Sequence, residues 1–307
     1  MHTGKLEELL VSAIIVTYNR KDEVIECVES VLRSTYKKIE VIVVDNASLD
    51  NTADVLEEKF SGKVQLIRSE KNIYAGGGRN LGAANAKGEY LLFIDSDNVI
   101  APDMIEQLLE GIRQNPQLKP GIIGPFTYYK TDKKRLCWVN SSISLLTSIT
   151  RFGGMRELDN GQYDKTKYIK VGHIPNVFML EKEVFNTVGG IDKDYVMHYE
   201  ESDLAEKVLR LRLDVVLFPH ARTWHDLPQD SPKGHKSFLG RNPGMVYYVS
   251  RNRILFMRKN SKGIRLFLFL VIFSNIFLLY NILILIRNGQ FGLIKLALKG
   301  YIDGLKI

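Results

Sequence analysis

Apolar positions follow two rhythms over the first 125 residues. Short, nearly continuous β-rich runs occur at Ser12-Ala-Ile-Ile-Val-Thr17, Ile39-Glu-Val-Ile-Val-Val44, Val64 to Arg68 and Tyr90-Leu-Leu-Phe-Ile94. Between them, helical spacing appears at Val24, Ile25, Val28, Val31 and Leu32, with Asp22 as a candidate N-cap, then from Val55 to Phe60 and from Gly78 to Ala86. A further helix is expected from Pro102 to Gln114, opened by Pro102. Strands without polar alternation are buried on both faces, so the pattern predicts an α/β fold with a mostly parallel sheet flanked by helices. Ligands bind such sheets beyond the carboxyl ends of the strands.

The second half is less regular. Ile122 to Tyr129 reads as a strand, while Lys130 to Lys170 is polar and aromatic without clear periodicity and suits an excursion that binds substrate. Glu181 to Thr187 and Ser202 to Leu211 read as helices, and Val215 to Phe218 as a short strand stopped by Pro219. Ile264 to Ile286 is almost wholly apolar; from Leu266 onward it carries no charge, which reaches the roughly 20 residues that span a bilayer as a helix. Phe291 to Leu305 is amphipathic and Lys-bearing. The expected domains are residues 1–250, with a nucleotide-binding half at about 10–125 and an acceptor-side half at about 126–250, and a basic, membrane-associated tail at 251–307.

Charge changes the picture through its location. The 307 residues carry a net +7, but Arg251 to Ile307 hold 10 Lys and Arg against Asp303 alone, which is +9, and the first 250 residues are at −2. A basic excess flanking an apolar run indicates a membrane rather than nucleic acid. Six bases precede the run and four follow it, a weak positive-inside bias that allows a single span with a cytosolic body and equally an interfacial helix or an oligomer contact. Met1 to Leu10 lacks a long apolar core and does not read as a signal peptide. Cys27 and Cys137 are isolated, so neither a disulfide framework nor a zinc site is expected.

Candidate chemistry sits at the strand ends. Asp95-Ser96-Asp97 follows the fourth strand; carboxylates at i and i+2 share a direction if the chain stays extended and could hold a hard divalent cation, or else form a capping turn. Thr17-Tyr18-Asn19-Arg20 and Asp45-Asn46 end the first two strands, where a carboxylate can accept from a base N–H and a Tyr can stack. Asn72 to Asn80 contains Gly76, Gly77 and Gly78, then Arg79; it allows close backbone approach and positive φ but matches neither a dinucleotide fingerprint nor a P-loop. Glu200, Glu201 and Asp203 crowd a helix start, as dipole partners or as a general base, and sequence does not choose among them. His225 follows the last short strand as a lone ligand candidate.

Taken in order, Ile14 to Asn19, Val43 to Asp50, Asn72 to Asn80, Phe93 to Asp97, Phe178-Met179 with Gly189-Gly-Ile-Asp192, Tyr199 to Leu204, His225 and the Arg251-Asn-Arg253 region resemble the family 2 inverting glycosyltransferases of the GT-A fold, especially a rhamnosyltransferase-like branch. The resemblance implies sugar transfer from a nucleotide-diphosphate sugar with Mg²⁺ or Mn²⁺. It implies a metal-binding Asp95, Asp97 and His225, and a donor site of Thr17, Tyr18, Asn19, Arg20, Asp45, Asn46, Gly76, Gly77, Arg79, Asn80 and Ser96. The family's catalytic Asp falls at Glu201, one methylene longer, with Glu200 and Asp203 as the other candidates. The tail suggests a lipid-linked glycan or polyprenyl phosphate acceptor and a cell-membrane location with the catalytic domain cytoplasmic; a homo-oligomer is compatible with it. Nucleotidyl transfer, or a sugar-nucleotide-binding subunit without turnover, are the competing readings.

Overall fold

The computed structural model describes residues 9–226 and 243–307, so the reading of the extreme N-terminus lies mostly outside the described residues. Strands β1 (Val11–Thr17), β2 (Ile39–Asp45), β3 (Gln65–Arg68) and β4 (Tyr90–Asp95) alternate with helices α1 (Lys21–Leu32), α2 (Thr52–Phe60) and α3 (Tyr74–Asn85). These four strands are parallel, in the order β4-β1-β2-β3. Their apolar runs serve two cores at once. Ala13, Ile15, Val43 and Leu92 pack with Val24 and Val28 of α1 and Leu56 of α2, whereas Ile14, Ile42, Val44 and Phe93 pack on the other face with Ala83 of α3. The first-half expectation holds, with shifts at three ends. Asp22 lies in the first turn of α1 and Arg20 is its N-cap; α3 begins at Tyr74, ahead of Gly78; and α4 (Met104–Gln114) begins two residues after Pro102.

The second half completes a mixed sheet. After β5 (Asn98–Ile100) come α4, β6 (Pro120–Tyr129), β7 (Asp132–Trp138), β8 (Asn140–Ile143), β9 (Thr150–Gly153), β10 (Ile169–Lys170) and β11 (Val177–Glu181). Then follow α5 (Lys182–Thr187), α6 (Glu200–Arg210) and β12 (Asp214–His225). The main sheet runs β10-β12-β6-β11-β4-β1-β2-β3, with β11 antiparallel to β4. Two expectations are corrected here. The 130–170 excursion is built of hairpin strands: β7 pairs with β6, and β8 with β9 form a separate two-stranded sheet. The last strand does not stop at Pro219 but resumes after a register shift between Phe218 and Arg222, continuing beside β6 and β5 as far as His225. A proline that cannot donate to a ladder is accommodated by that irregularity.

The tail packs as helices. Residues Pro243–Asn260 form α7, Gly263–Leu268 α8, Ser274–Arg287 α9 and Ile294–Lys306 α10, with a π-helical turn, Phe269–Phe273, making Gly263–Arg287 continuous. The expected boundary at 250/251 falls within α7. Arg251 donates to the Asp194 carbonyl and Lys259 pairs with Asp194 at 2.6 Å, joining this helix to the body.

The α3 glycines are there for closeness. None of the four, Gly76, Gly77, Gly78 and Gly82, has a positive φ; the left-handed residue is Tyr74, at φ 60°. A Cβ on Gly78 would lie 2.5 Å from Val16 Cγ1, and one on Gly82 2.4 Å from Ile14 Cγ2, so α3 is seated directly on β1. Gly78→Ala is therefore expected to destabilise the fold by about 1–3 kcal/mol in urea denaturation, despite alanine's better helix propensity. Gly292→Ala, with nothing within 4 Å of its would-be Cβ, should be near neutral in the same assay.

Candidate active site

The carboxyl ends of β1, β2 and β4 open onto one region. Thr17 and Asp45 are register partners and buried, and Thr17 Oγ1 and Asp45 Oδ1 have no hydrogen-bond partner among the described residues. Asp45 Oδ2 accepts from the Ser48 N–H at 3.1 Å, which leaves the other oxygen to be satisfied by something else. Buried polar atoms of this kind are few in native proteins and commonly mark a ligand or water position. Tyr18 beside them is 41% exposed.

Other candidates there shape the loops. Asn19, at φ 52°, donates its N–H to Ser48 Oγ and accepts from the Leu49 N–H at 2.7 Å, tying the β1 and β2 loops together. Asn46 donates to Asn72 Oδ1 and accepts from the Ile73 N–H, which fixes the entry into α3. Asn80 clasps a distant loop, accepting from the Ile191 N–H at 3.0 Å and donating to the Ile191 carbonyl at 2.7 Å. Gly76 lets α3 lie against Ile191, whereas Gly77 makes room for the side chain of Ile73, the N-cap of α3 itself. Ser96 is buried.

Asp95 and Asp97 do not share a direction. The chain turns at Ser96 and Asp97 to start β5, so Asp95 ion-pairs with Arg79 while Asp97 pairs with Arg20 and lies 3.3 Å from His225 Nε2. His225 is brought there by β12, where it is the register partner of Asn98. Its Nδ1 is 3.2 Å from Asn176 Nδ2, a contact that fixes the ring whichever way the amide is assigned. Burial raises the pKa of Asp97, but His225 and Arg20 outweigh it and hold the group down at about 2. Asp97 and His225 thus offer adjacent oxygen and nitrogen donors that fit a divalent cation. Asp95 has its carboxylate on Arg79, and among the described residues no three His, Cys, Asp or Glu side chains are grouped so as to hold a metal ion.

Arg79 is the hinge of the site. Only 3% of its side chain is exposed, and its guanidinium reaches Asp95 through one nitrogen and Glu201 Oε1 at 2.8 Å through another, above the Phe178 ring. Burial opposes the Arg79 charge, yet Asp95, Glu201 and Glu200 outweigh it and raise its pKa. The effect on the neighbouring acids differs. Burial alone would raise the pKa of Glu201, but Arg79 brings it below the usual value; Glu200, buried beside the Glu201 charge, is pushed up to about 8. Glu200 Oε2 has no hydrogen-bond partner among the described residues.

Helical geometry sorts the third acid elsewhere. Asp203 lies two residues past Glu201, about 200° around α6, and accepts from Asn260 Nδ2 at 2.7 Å and Tyr195 Oη at 3.3 Å, with Lys207 Nζ at 2.9 Å. His173, buried near Glu201, has its pKa lowered to about 4 by desolvation. Neither His173 nor Asn176 was singled out by sequence reasoning. A cavity of about 820 Å³ lined by Tyr90, Pro120 and Glu181 lies at the opposite end of the strands, away from all of these groups.

The residues preceding α6 are held by the tail. His198 and Tyr199 are both left-handed, at φ 67° and 73°, and Asn252 Nδ2 donates to the Met197 carbonyl at 2.7 Å and the His198 carbonyl at 3.3 Å. Asn252 is the centre of the Arg251-Asn-Arg253 motif, whose spacing gave it no role in the sequence reading.

The model of the family described as glycosyl transferase family 2 matches residues 12–188, more than half the chain. The chain belongs to that family. This glycosyltransferase-family chain is 30% identical over 204 residues to an uncharacterized glycosyltransferase of Haemophilus influenzae, covering 66% of this chain and 62% of the relative. It is 42% identical over 89 residues, 29% of the chain and 36% of the relative, to the UDP-Glc:alpha-D-GlcNAc-diphosphoundecaprenol beta-1,3-glucosyltransferase WfaP of Escherichia coli. The chain thus spans about three fifths of the first of these. Solved structures sharing the fold include GalNAc-T7 with UDP, GalNAc and Mn²⁺, at TM-score 0.61 and 18% identity over 79% of this chain and 48% of that one. Another is the mannosyltransferase PcManGT from Pyrobaculum calidifontis with GDP-Man and Mn²⁺, at TM-score 0.57 and 14% identity over 97% and 87%. The expected GT-A fold is the one observed.

Two outcomes follow from the geometry. Because the fold favours protonated Glu200, the folded chain binds more protons than the unfolded chain between the ordinary 4.5 and about 8, and stability should fall as pH rises through that window. Melting curves of Glu200→Gln should lose that decline; a slope equal to wild type would show that Glu200 does not titrate there. Asn252→Ala removes a donor from two carbonyls and is expected to cost about 1–3 kcal/mol in chemical denaturation, with Asn252→Asp, which cannot donate when ionised, no better.

Proposed function

We propose that this chain is an inverting glycosyltransferase that moves a sugar from a nucleotide-diphosphate sugar to a hydroxyl or phosphate acceptor on a lipid-linked glycan or polyprenyl carrier. The observation that carries the reading is the convergence of unsatisfied Thr17 and Asp45 atoms, the Asp97–His225 pair and the Arg79-bound Glu201 at one end of the sheet. Family membership gives the transfer its class, and the UDP, GDP-Man and Mn²⁺ of the two similar structures support the donor type. WfaP supports a diphosphate-linked lipid acceptor, and the rhamnosyltransferase-like motifs make a deoxyhexose donor the first to try.

In this reading residues 1–250 bind substrates and 251–307 hold the enzyme at a membrane, with the body on the cytoplasmic side. Asp45 and Thr17 take the base and ribose, and Tyr18 covers the base. Asp97 and His225, with Asp95 nearby, would hold Mg²⁺ or Mn²⁺, which would supply charge neutralisation for the departing diphosphate. Glu201 is ionised at neutral pH and takes the proton from the acceptor hydroxyl. As that oxygen bonds to the anomeric carbon, the carbon's bond to the nucleoside diphosphate breaks on the opposite face. Asp203, spent on Asn260, Tyr195 and Lys207, serves structure.

Purified protein with Mn²⁺, membrane lipid extract and a panel of sugar nucleotides, dTDP-rhamnose included, should release nucleoside diphosphate. Release of pyrophosphate instead would establish nucleotidyl transfer, and binding without any release would indicate a subunit lacking turnover. Glu201→Gln should lower turnover by roughly 10²–10⁴-fold with donor affinity retained in calorimetry; near-normal turnover removes Glu201 from the chemistry. Asp97→Ala should weaken donor binding only when Mn²⁺ is present, and equal affinity with and without metal in the wild type would remove the metal from the site.

A further inference from the structure

Gly263–Arg287 is a 25-residue helix containing an 18-residue stretch of mean hydropathy 2.5, so at 1.5 Å per residue it is long enough to cross a bilayer of roughly 30 Å. Its packing argues for a different placement. The middle of the helix is bound to the rest of the protein. Ser274 Oγ lies 3.2 Å from Tyr301 Oη of α10, and Tyr301 donates to Asn275 Oδ1 at 3.0 Å. The Arg253 guanidinium of α7 stacks 3.9 Å from the Phe277 ring centroid and donates to Ser148 Oγ at 3.1 Å, in the connection between β8 and β9. α10 is itself pressed onto α7, since a Cβ on Gly300 would lie 2.3 Å from the Tyr247 carbonyl oxygen and one on Gly304 2.8 Å from that of Arg251.

Were this helix to cross a membrane, its midpoint would sit about 15 Å from either interface. Arg253, the body loop at Ser148 and the neighbouring α10, with Lys299 and Asp303, would follow it into hydrocarbon, where each charge costs about 2.5–3.5 kcal/mol or more. The opposite side of the same helix is bare. Ile264, Phe267, Val271, Ile276, Leu279 and Leu283 are each at least 55% exposed. The five-residue step from Val271 to Ile276 spans the π-helical turn, which keeps these residues on one side. Exposed Lys262 and Arg265 stand at one end of the stripe and exposed Arg287 at the other. An apolar stripe along the whole helix with cations at both ends matches acyl chains below anionic headgroups.

We propose that Gly263–Arg287 is an in-plane anchor: it lies along the surface of an anionic bilayer, sunk into one leaflet, and does not cross. This rests on the membrane location given above and specifies its form. The anchor sets α7, and with it the Met197–Tyr199 turn ahead of Glu201, next to the leaflet that would carry a lipid-linked acceptor.

The test uses the full chain expressed in a bacterial host, with Lys262→Cys or Asn288→Cys introduced singly; the native Cys27 and Cys137 are buried. A membrane-impermeant maleimide should label both positions in inverted vesicles and neither in right-side-out ones. Labelling of the two positions from opposite sides overturns the in-plane anchor while leaving membrane location intact. In flotation, the purified chain should rise with phosphatidylglycerol-containing vesicles and at least tenfold less with phosphatidylcholine alone, and Ile276→Glu with Leu279→Glu should abolish it without changing transfer to a water-soluble acceptor. Flotation unaffected by that pair of substitutions overturns the assigned face. A chain that never floats and instead forms a discrete oligomer through this stripe overturns both the anchor and the membrane location, and the nucleoside-diphosphate assay then decides the transferase reading separately.

Discussion

A guanidinium buried to 3% exposure is tolerable only with carboxylates around it, and Arg79 organises the site by this requirement. It rises from the second turn of α3, a helix that reaches β1 closely because Gly78 and Gly82 lack side chains. From there it draws Asp95 off the end of β4 and Glu201 off the start of α6, joining the parallel strands to α6. One cation cannot fully offset three nearby acids. Arg79 holds Glu201 below its ordinary pKa, whereas burial raises that of Asp95 and, beside the Glu201 charge, pushes Glu200 up to about 8. The protonation pattern of the site therefore comes from packing as much as from the acids themselves.

The other support comes from the tail. Two successive left-handed non-glycine residues, His198 and Tyr199, place α6, and backbone of that kind persists only where its surroundings over-determine it. Asn252 holds the carbonyls, Arg251 and Lys259 hold Asp194, and Asn260 holds Asp203. A helix that begins the expected membrane segment is thus also a wall of the candidate site. The same α7 carries Arg253 against Phe277, so the attachment of the apolar helix and the aim of the Glu201 turn share one element.

Much of this was legible in the chain because local pattern determines it. Strands buried on both faces announce themselves as unbroken apolar runs, and turn-forming acids at their ends mark the ligand side of the sheet; hence β1 to β4 and the Asp95 and Asp97 candidates were readable, whereas Glu201, at a helix start, was one of three acids until the family resemblance singled it out. What escaped depends on distant partners. The strands within 130–170 carry only a short apolar stretch, Leu136 to Val139, and exist through pairing with β6 and each other. β12 outlasts Pro219 because β5 and β6 supply partners beyond the irregularity. Nothing local to Asn80 announces that its amide closes on Ile191, 111 residues away. No spacing rule predicts that Asp95 and Asp97 will diverge onto Arg79 and Arg20.

The family resemblance implies an Asp where this chain has Glu201, and that difference has a physical counterpart in this arrangement. Arg79 is fixed by Asp95 and by the Phe178 ring, and Glu201 meets it at 2.8 Å. A carboxylate one methylene shorter would retract by roughly one carbon–carbon bond, about 1.5 Å, beyond hydrogen-bond range of a guanidinium that cannot follow. Arg79 would then hold Asp95 alone, and the acid at 201 would lose the partner that keeps its pKa low in a buried setting. The extra methylene thus keeps the carboxylate ionised at the cost of some basicity, which makes Glu201 and Arg79 a matched pair.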